Sequence, residues 1–187
     1  MELDRSSSGT AERPRSVLLL EDSGSDAGDR ACGKLLLDGE DPGAARLLLV
    51  TLVHTPAARM GVWNEVADER PAETVAVSMA GDAGAENGMT VRTISNPANL
   101  TRLGVTITEA LADLDGDRPV VCFHSLSVLL QYAPVEQVFQ FLSVLKSHLD
   151  GVGAAAHFHL DPSTHDEQTV ATLRPLFDEV VHADVGV

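Results

Sequence analysis

The sequence predicts a three-layer α/β domain with a mostly parallel central sheet. Two observations carry this expectation. Apolar runs beginning near Ser16, Arg46, Pro119 and Gly153 are continuous rather than alternating, as in strands buried on both faces of a parallel sheet. Segments with helical periodicity fall between the strands almost throughout, and that alternation implies parallel strands joined by right-handed helical crossovers.

Along the chain, residues 1–14 are polar and read as a disordered tail, leaving 15–187 as a single domain. Ser16–Leu20 is the first strand. Glu21 to Ala27 is a turn-rich loop, and Ser25 or Asp26 caps a helix reaching about Leu37. Gly39 to Gly43 is a turn. Arg46–Val53 is a second buried strand, followed by a helix with Thr55 at its cap and Pro56 in its first turn. Met60, Trp63 and Val66 give that helix an apolar stripe. Thr74–Met79 is a third strand and Gly81 to Gly88 a loop. Met89–Ile94 alternates apolar and polar residues, the pattern of an edge strand.

Asn99–Leu114 is a helix with Leu100, Leu103, Ile107, Leu111 and Leu114 on one face. Pro119–Phe123 is the central strand, with Pro tolerated at its first residue. Pro134–Leu149 is a strongly apolar helix, and Phe139 and Phe141 on it are read as core, with a partner surface as the alternative for so apolar a face. Gly153–Leu160 is another strand. Ser163–Leu173 is a helix that Pro175 ends or kinks, and Val180-Val181 adds a last strand.

Composition narrows the function classes. The chain carries 28 acidic against 13 basic residues, a formal charge of −15. Lys34 and Lys146 are its only lysines. Such an acidic, lysine-poor chain resembles proteins of salt-loving archaea, where salt screens the self-repulsion of the carboxylates. The same charge argues against nonspecific nucleic-acid binding. No run reaches the length of a membrane span, so a cytoplasmic protein is expected. Cys32 and Cys122 lack metal-ligand spacing and are read as buried free thiols.

The segment Arg118–Leu130, RPVVCFHSLSVLL, carries the main functional clue. Ligands of open α/β sheets sit beyond the carboxyl ends of the strands, which is where His124 and Ser125 fall. The run resembles the Walker B strand of the RecA/KaiC-like ATPases, four apolar residues followed by Asp-Ser-Leu-Ser, with His124 in place of the Asp. The first strand and loop (SVLLLEDSGSDAGDRACGKLL), the second strand (LLLVTLVHTPAARMGVW) and the block from Val120 to Asp184 extend the resemblance to that P-loop superfamily, in a shortened and degenerate form. It implies a RecA-like topology. It also implies descent from proteins that couple ATP to ring or filament states in recombination, clock or signalling roles.

The motifs such coupling needs are damaged. A P-loop needs a glycine-rich turn directly after the first strand, a Lys for the terminal phosphates and a Ser or Thr for Mg²⁺. Gly28-x4-Gly33-Lys34 matches the spacing, but Leu35 replaces the hydroxyl residue and the match lies well beyond the strand. It is read as accidental. The loop in the right place, Glu21 to Asp26, has no Lys and three carboxylates that repel a triphosphate. The degenerate nucleotide-site region is therefore Ser23, Gly24, Ser25, Asp26, His124 and Ser125, with no catalytic residue among them.

Two further chemistries compete with plainer readings. His157 and His159 stand two apart on a strand and share a face, so with Asp161 they could make a site of two histidines and a carboxylate, with His124 on a neighbouring strand. One histidine at a strand end is more often a hydrogen-bonded residue than a ligand. Ser125 and Ser127 near histidines suggest a hydrolase, yet no Gly-x-Ser-x-Gly elbow is present, and helix capping accounts for them better. The leading expectation is a pseudo-ATPase with a regulatory, signalling or protein-interaction role, a protein partner or self-association, and no cofactor. ATP and Mg²⁺ are not expected. A metal protein using His157, His159 and Asp161 is the alternative, and nucleotide binding without hydrolysis the second.

Overall fold

In the computed structural model, residues 16–37, 41–80 and 88–183 are described. The elements are β1 (Ser16–Leu20), α1 (Asp26–Leu37), β2 (Arg46–Thr51), α2 (Pro56–Val66), β3 (Glu73–Ser78), β4 (Thr90–Thr93), α3 (Leu100–Asp113), β5 (Val120–His124), α4 (Leu126–Tyr132), α5 (Val135–Gly151), β6 (Ala155–Leu160), α6 (Glu167–Leu173) and β7 (Glu179–His182). The seven strands form one sheet in the order β4-β3-β2-β5-β6-β1-β7. Every pairing is parallel. The expected α/β architecture is therefore observed, with Pro119–Phe123 contributing the middle strand.

Alternation along each strand divides the core in two. Leu18, Leu20, Val121, Phe123, Ala156 and Phe158 face the layer of α3, α4, α5 and α6. Leu19, Leu47, Leu49, Val120 and Cys122 face α1 and α2, where Trp63 is fully buried. Phe139 and Phe141 are only partly buried against the larger cluster. The outer strands β4 and β7 leave their end residues exposed, as edge strands do.

Helix starts obey their capping residues. Thr55 accepts from the Ala58 N–H ahead of Pro56, Asn99 accepts from Arg102, and Asp166 accepts from Thr169.

The structure departs from the sequence reading in three places. Helix α4 is implied in that reading only by the capping role given to Ser125 and Ser127, of which Ser125 takes it: its seven residues are too few to carry a helical stripe before Ala133-Pro134 stops them. The last helix begins at Glu167 rather than Ser163, because Pro162–Thr164 forms a separate 3-10 turn and Asp166 caps α6 itself. Strand β2 ends at Thr51, where the Thr51 hydroxyl turns to the His54 carbonyl at 2.5 Å. The expected tail at 1–14, most of the loop at 81–88 and the first two residues of the turn at 39–43 lie outside the described residues. Among the described residues, no helix is long and apolar enough to cross a membrane.

Candidate functional site

Polar groups gather where β1, β6 and β5 end side by side. Strand β6 lies between the other two, so its His159 comes between the loop after β1 and His124 of β5. Glu21, the first residue beyond β1, is buried, and its backbone N–H donates to the Leu160 carbonyl at 3.1 Å. Its carboxylate accepts from His159 Nδ1 and lies 3.8 Å from His124 Nε2. Gly28, in the first turns of α1, makes this placement sterically available. A Cβ there would overlap the Glu21 carboxylate.

The histidines respond to these surroundings. Burial pushes His124 down to about 2, with His159 and Arg59 adding to the effect, so it is neutral. Burial also opposes charge on His159, but the Cys122 sulfur and the Glu21 carboxylate outweigh it and raise His159 to about 9. The His124 and His159 ring centroids are 4.6 Å apart, and exposed His54 lies 5.3 Å from His124 on the other side.

The remaining residues expected at a degenerate nucleotide site are engaged in holding the loop. Ser23 N–H donates to Asp161 Oδ2 at 2.9 Å. Gly24 takes a φ of +75°, a left-handed conformation that suits glycine. Ser25 caps α1 by accepting from Gly28 N–H at 3.0 Å, and Asp26 is the exposed first residue of the helix. Ser125 caps α4, and Ser127 Oγ accepts from the Asp161 N–H at 2.7 Å. Lys34 lies exposed in the last turn of α1, about 12 Å along the axis from Asp26. Gly28 and Gly33 of the phosphate-loop-like spacing sit inside a helix. Gly33 there makes room for Val66 of α2.

The expected set of His157, His159 and Asp161 is not assembled as one. Both histidines point into the α1 layer, but the Asp161 carboxylate accepts from Ser23 N–H and from the backbone and hydroxyl of Ser163. Burial would raise this carboxyl, but those hydrogen bonds prevail and hold it at about 2. What meets the histidines is the pair of cysteines. Cys32 and Cys122 Sγ are 3.9 Å apart, His157 Nε2 is 3.2 Å from Cys32 Sγ, and His159 Nε2 is 3.4 Å from Cys122 Sγ. Arg59 donates to Cys32 Sγ at 3.2 Å and to Asp29 at 3.0 Å. The hydrogen bond shared with Cys32 and the two facing histidines hold Cys122 well below the ordinary thiol value, while that same bond and burial hold Cys32 well above it.

Sequence reasoning missed Cys32, Cys122, Arg59 and the partnership of Glu21. A usable signal existed for one of them. Cys122 falls on the strand beside β6, in register with His157.

The chain matches, over residues 14–183, the model of a family of unknown function, DUF7504. It belongs to that family. No curated protein matches the chain significantly. Among solved structures it is similar to one from Pyrococcus horikoshii OT3, described as a structural study of Project ID PH0250. The TM-score is 0.60 at 10% identity, covering 92% of this chain and 84% of that one. It is also similar to the flagellar accessory protein FlaH from Methanocaldococcus jannaschii, with a TM-score of 0.56 at 13% identity, covering 91% and 72%. These likenesses establish a RecA-like α/β fold for this DUF7504 protein.

Proposed function

We propose that this DUF7504 protein is a RecA-like domain that does not hydrolyse nucleotides and works by associating with protein. One observation carries the reading. The loop after β1, where a phosphate cradle would have to be, is committed to the protein's own groups: Glu21 to His159, Ser23 to Asp161, and Ser25 to the start of α1. Phosphoryl transfer depends on positioning and on cations that neutralise developing charge. Here the loop presents carboxylates, the Walker B position holds neutral His124, and Lys34 points to solvent at the far end of α1. A regulatory or signalling role for the retained scaffold is the reading that this loss supports.

Association with protein is favoured over a small-molecule substrate by the groove between α3 and α5. It has a volume of about 660 Å³ and is lined by Leu100, Val105, Phe141, Val144 and Leu145 among others. Val144 is 73% exposed there.

The test is titration with Mg²⁺-ATP together with a phosphate-release assay, in high salt. Neither saturable binding nor release above background is expected. A Mg²⁺-dependent ATPase that survives repurification and is lost in Lys34→Ala would overturn the reading. Light scattering of wild type and Val144→Asp examines association of the chain with itself through the groove.

A further inference from the structure

We propose that Cys32, Cys122, His157 and His159 form a tetrahedral site for one zinc ion, clamped between α1 and the sheet. The proposal is independent of the fate of nucleotides at the strand ends.

The geometry is that of ligands around a common centre. Two thiolates about 2.3 Å from a tetrahedral zinc lie about 3.8 Å from each other, and a thiolate and an imidazole nitrogen about 3.6 Å. The two sulfurs are 3.9 Å apart, and two of the four sulfur–nitrogen separations are 3.2 and 3.4 Å. All four donor atoms lie within 4.8 Å of one another. Closing around an ion therefore takes side-chain movements of up to about 1 Å.

The four side chains are turned onto one another in a mostly apolar layer, with Leu19, Leu36, Leu49, Val120 and Trp63 in the same cluster and Arg59 as a polar neighbour, and all four residues are buried. Sulfhydryl groups are weak hydrogen-bond partners. Two imidazoles turned onto two thiols are thus poorly compensated for leaving water. Zinc satisfies all four at once.

The groups behind the ligands match as well. His159 presents Nε2 to the centre while Nδ1 donates to Glu21, the carboxylate–histidine relation that fixes the tautomer and orientation of a metal ligand. Arg59 donates to Cys32 Sγ and so steadies a thiolate there. Two thiolates neutralise the ion, and Arg59, paired on its outer side with Asp29, brings positive charge to the sulfur side of the site.

The ligand set selects the metal class. Two sulfurs and two imidazoles at tetrahedral spacing suit zinc, whereas magnesium and calcium take oxygen ligands. Four protein ligands with no exposed position make a closed, structural site. It joins Cys32 of α1 to Cys122 of β5 and both histidines of β6. The imidazoles of His54, His124 and His159 lead inward from the surface in steps of 5.3 and 4.6 Å, an entry path for the ion. Glu21, His124 and His159 are a competing trio, but there His159 would have to give up Nδ1 from Glu21.

The experiment uses the full chain purified with its thiols reduced. Elemental analysis after gel filtration, cobalt substitution and thermal melts with and without chelator are read together. One zinc per chain is expected, along with tetrahedral visible bands and a near-ultraviolet thiolate-to-cobalt band in the cobalt form, and a lower Tm after zinc removal. Cys122→Ser should lose the metal or keep it with about half of the ultraviolet band, from Cys32 alone, and His124→Ala should keep both the metal and the full band. The wild-type cobalt spectrum decides the matter even where a cysteine variant fails to fold. Folded, reduced protein that retains neither zinc nor cobalt overturns the proposal. So does cobalt bound without a thiolate band and lost in His124→Ala, which would place the ion at the competing trio. A Cys32–Cys122 disulfide in the purified chain, with no metal uptake after reduction, overturns it too.

Discussion

The Glu21 carboxylate and the His159 imidazole are bonded side chain to side chain across adjacent strands, 138 residues apart in the chain. Glu21 stands where the fold would otherwise turn into a phosphate loop, and His159 reaches it from β6, which pairs with β1 through Leu20 and Leu160. A residue that repels phosphate thereby becomes a structural acceptor.

Replacing Glu21 by Gln keeps the shape but removes the charge that His159 donates to. A charge-assisted buried hydrogen bond is worth about 2 kcal/mol. Glu21→Gln should lose about that much in urea unfolding of the purified chain. Unchanged stability would show that the bond contributes nothing net.

Two helical glycines should respond oppositely to alanine. At Gly28 a Cβ meets the Glu21 carboxylate, and overpacking of this kind costs about 1–3 kcal/mol. At Gly61 in α2 nothing lies within 4 Å, so Gly61→Ala should gain up to about 1 kcal/mol from helix propensity. Thermal melts of the two variants check this, and equal effects would count against the packing seen at Gly28.

Acid should weaken the junction of β1 and β7. Burial would raise the Asp178 carboxyl, but hydrogen bonds from the Ser16 hydroxyl and N–H, with Lys146 nearby, hold it below the ordinary value. A carboxyl lowered on folding stabilises the protein above its unfolded value of about 3.9, and that stability is lost as pH falls through the folded value. The Tm advantage of wild type over Asp178→Asn should be full above about pH 5 and shrink below about pH 4. An advantage that grows on acidification would contradict the assignment.

Salt should stabilise the fold. A formal charge of −15 repels itself, and the screening length falls from about 10 Å at 0.1 M to about 3 Å at 1 M. Tm should rise between low and molar sodium chloride. A flat or falling series would remove electrostatic self-repulsion as a significant term.

The fold was legible because β1, β2 and β5 are continuous apolar runs and α3 carries a clear stripe, signals that need no knowledge of distant contacts. Helix α4 was hardly legible, since seven residues are too few to show a period, and only the capping role of Ser125 hinted at it. His157 and His159 could be paired from their spacing, because strand geometry is local. Of their partners, only Cys122, on the neighbouring strand, left a signal. Cys32 and Cys122 are 90 positions apart, and only the sheet order, with β6 between β1 and β5, brings them together under α1. Asp161 looked like a ligand by the same spacing rule, but Ser23 and Ser163 claimed its carboxylate.

The sheet order also sets when the chain can fold as it leaves the ribosome. Strand β1 emerges first, yet both of its neighbours, β6 and β7, come from residues 155–160 and 179–182. Until then Ser16–Leu20 is an apolar segment with its backbone unpaired on both sides, the kind of segment that aggregates. Strands β2, β3 and β5 can pair among themselves much earlier, so the nascent chain holds a partial sheet while its opening strand waits. Through most of synthesis that strand has neither of its native partners. The last strand to be made is the one that ends the exposure.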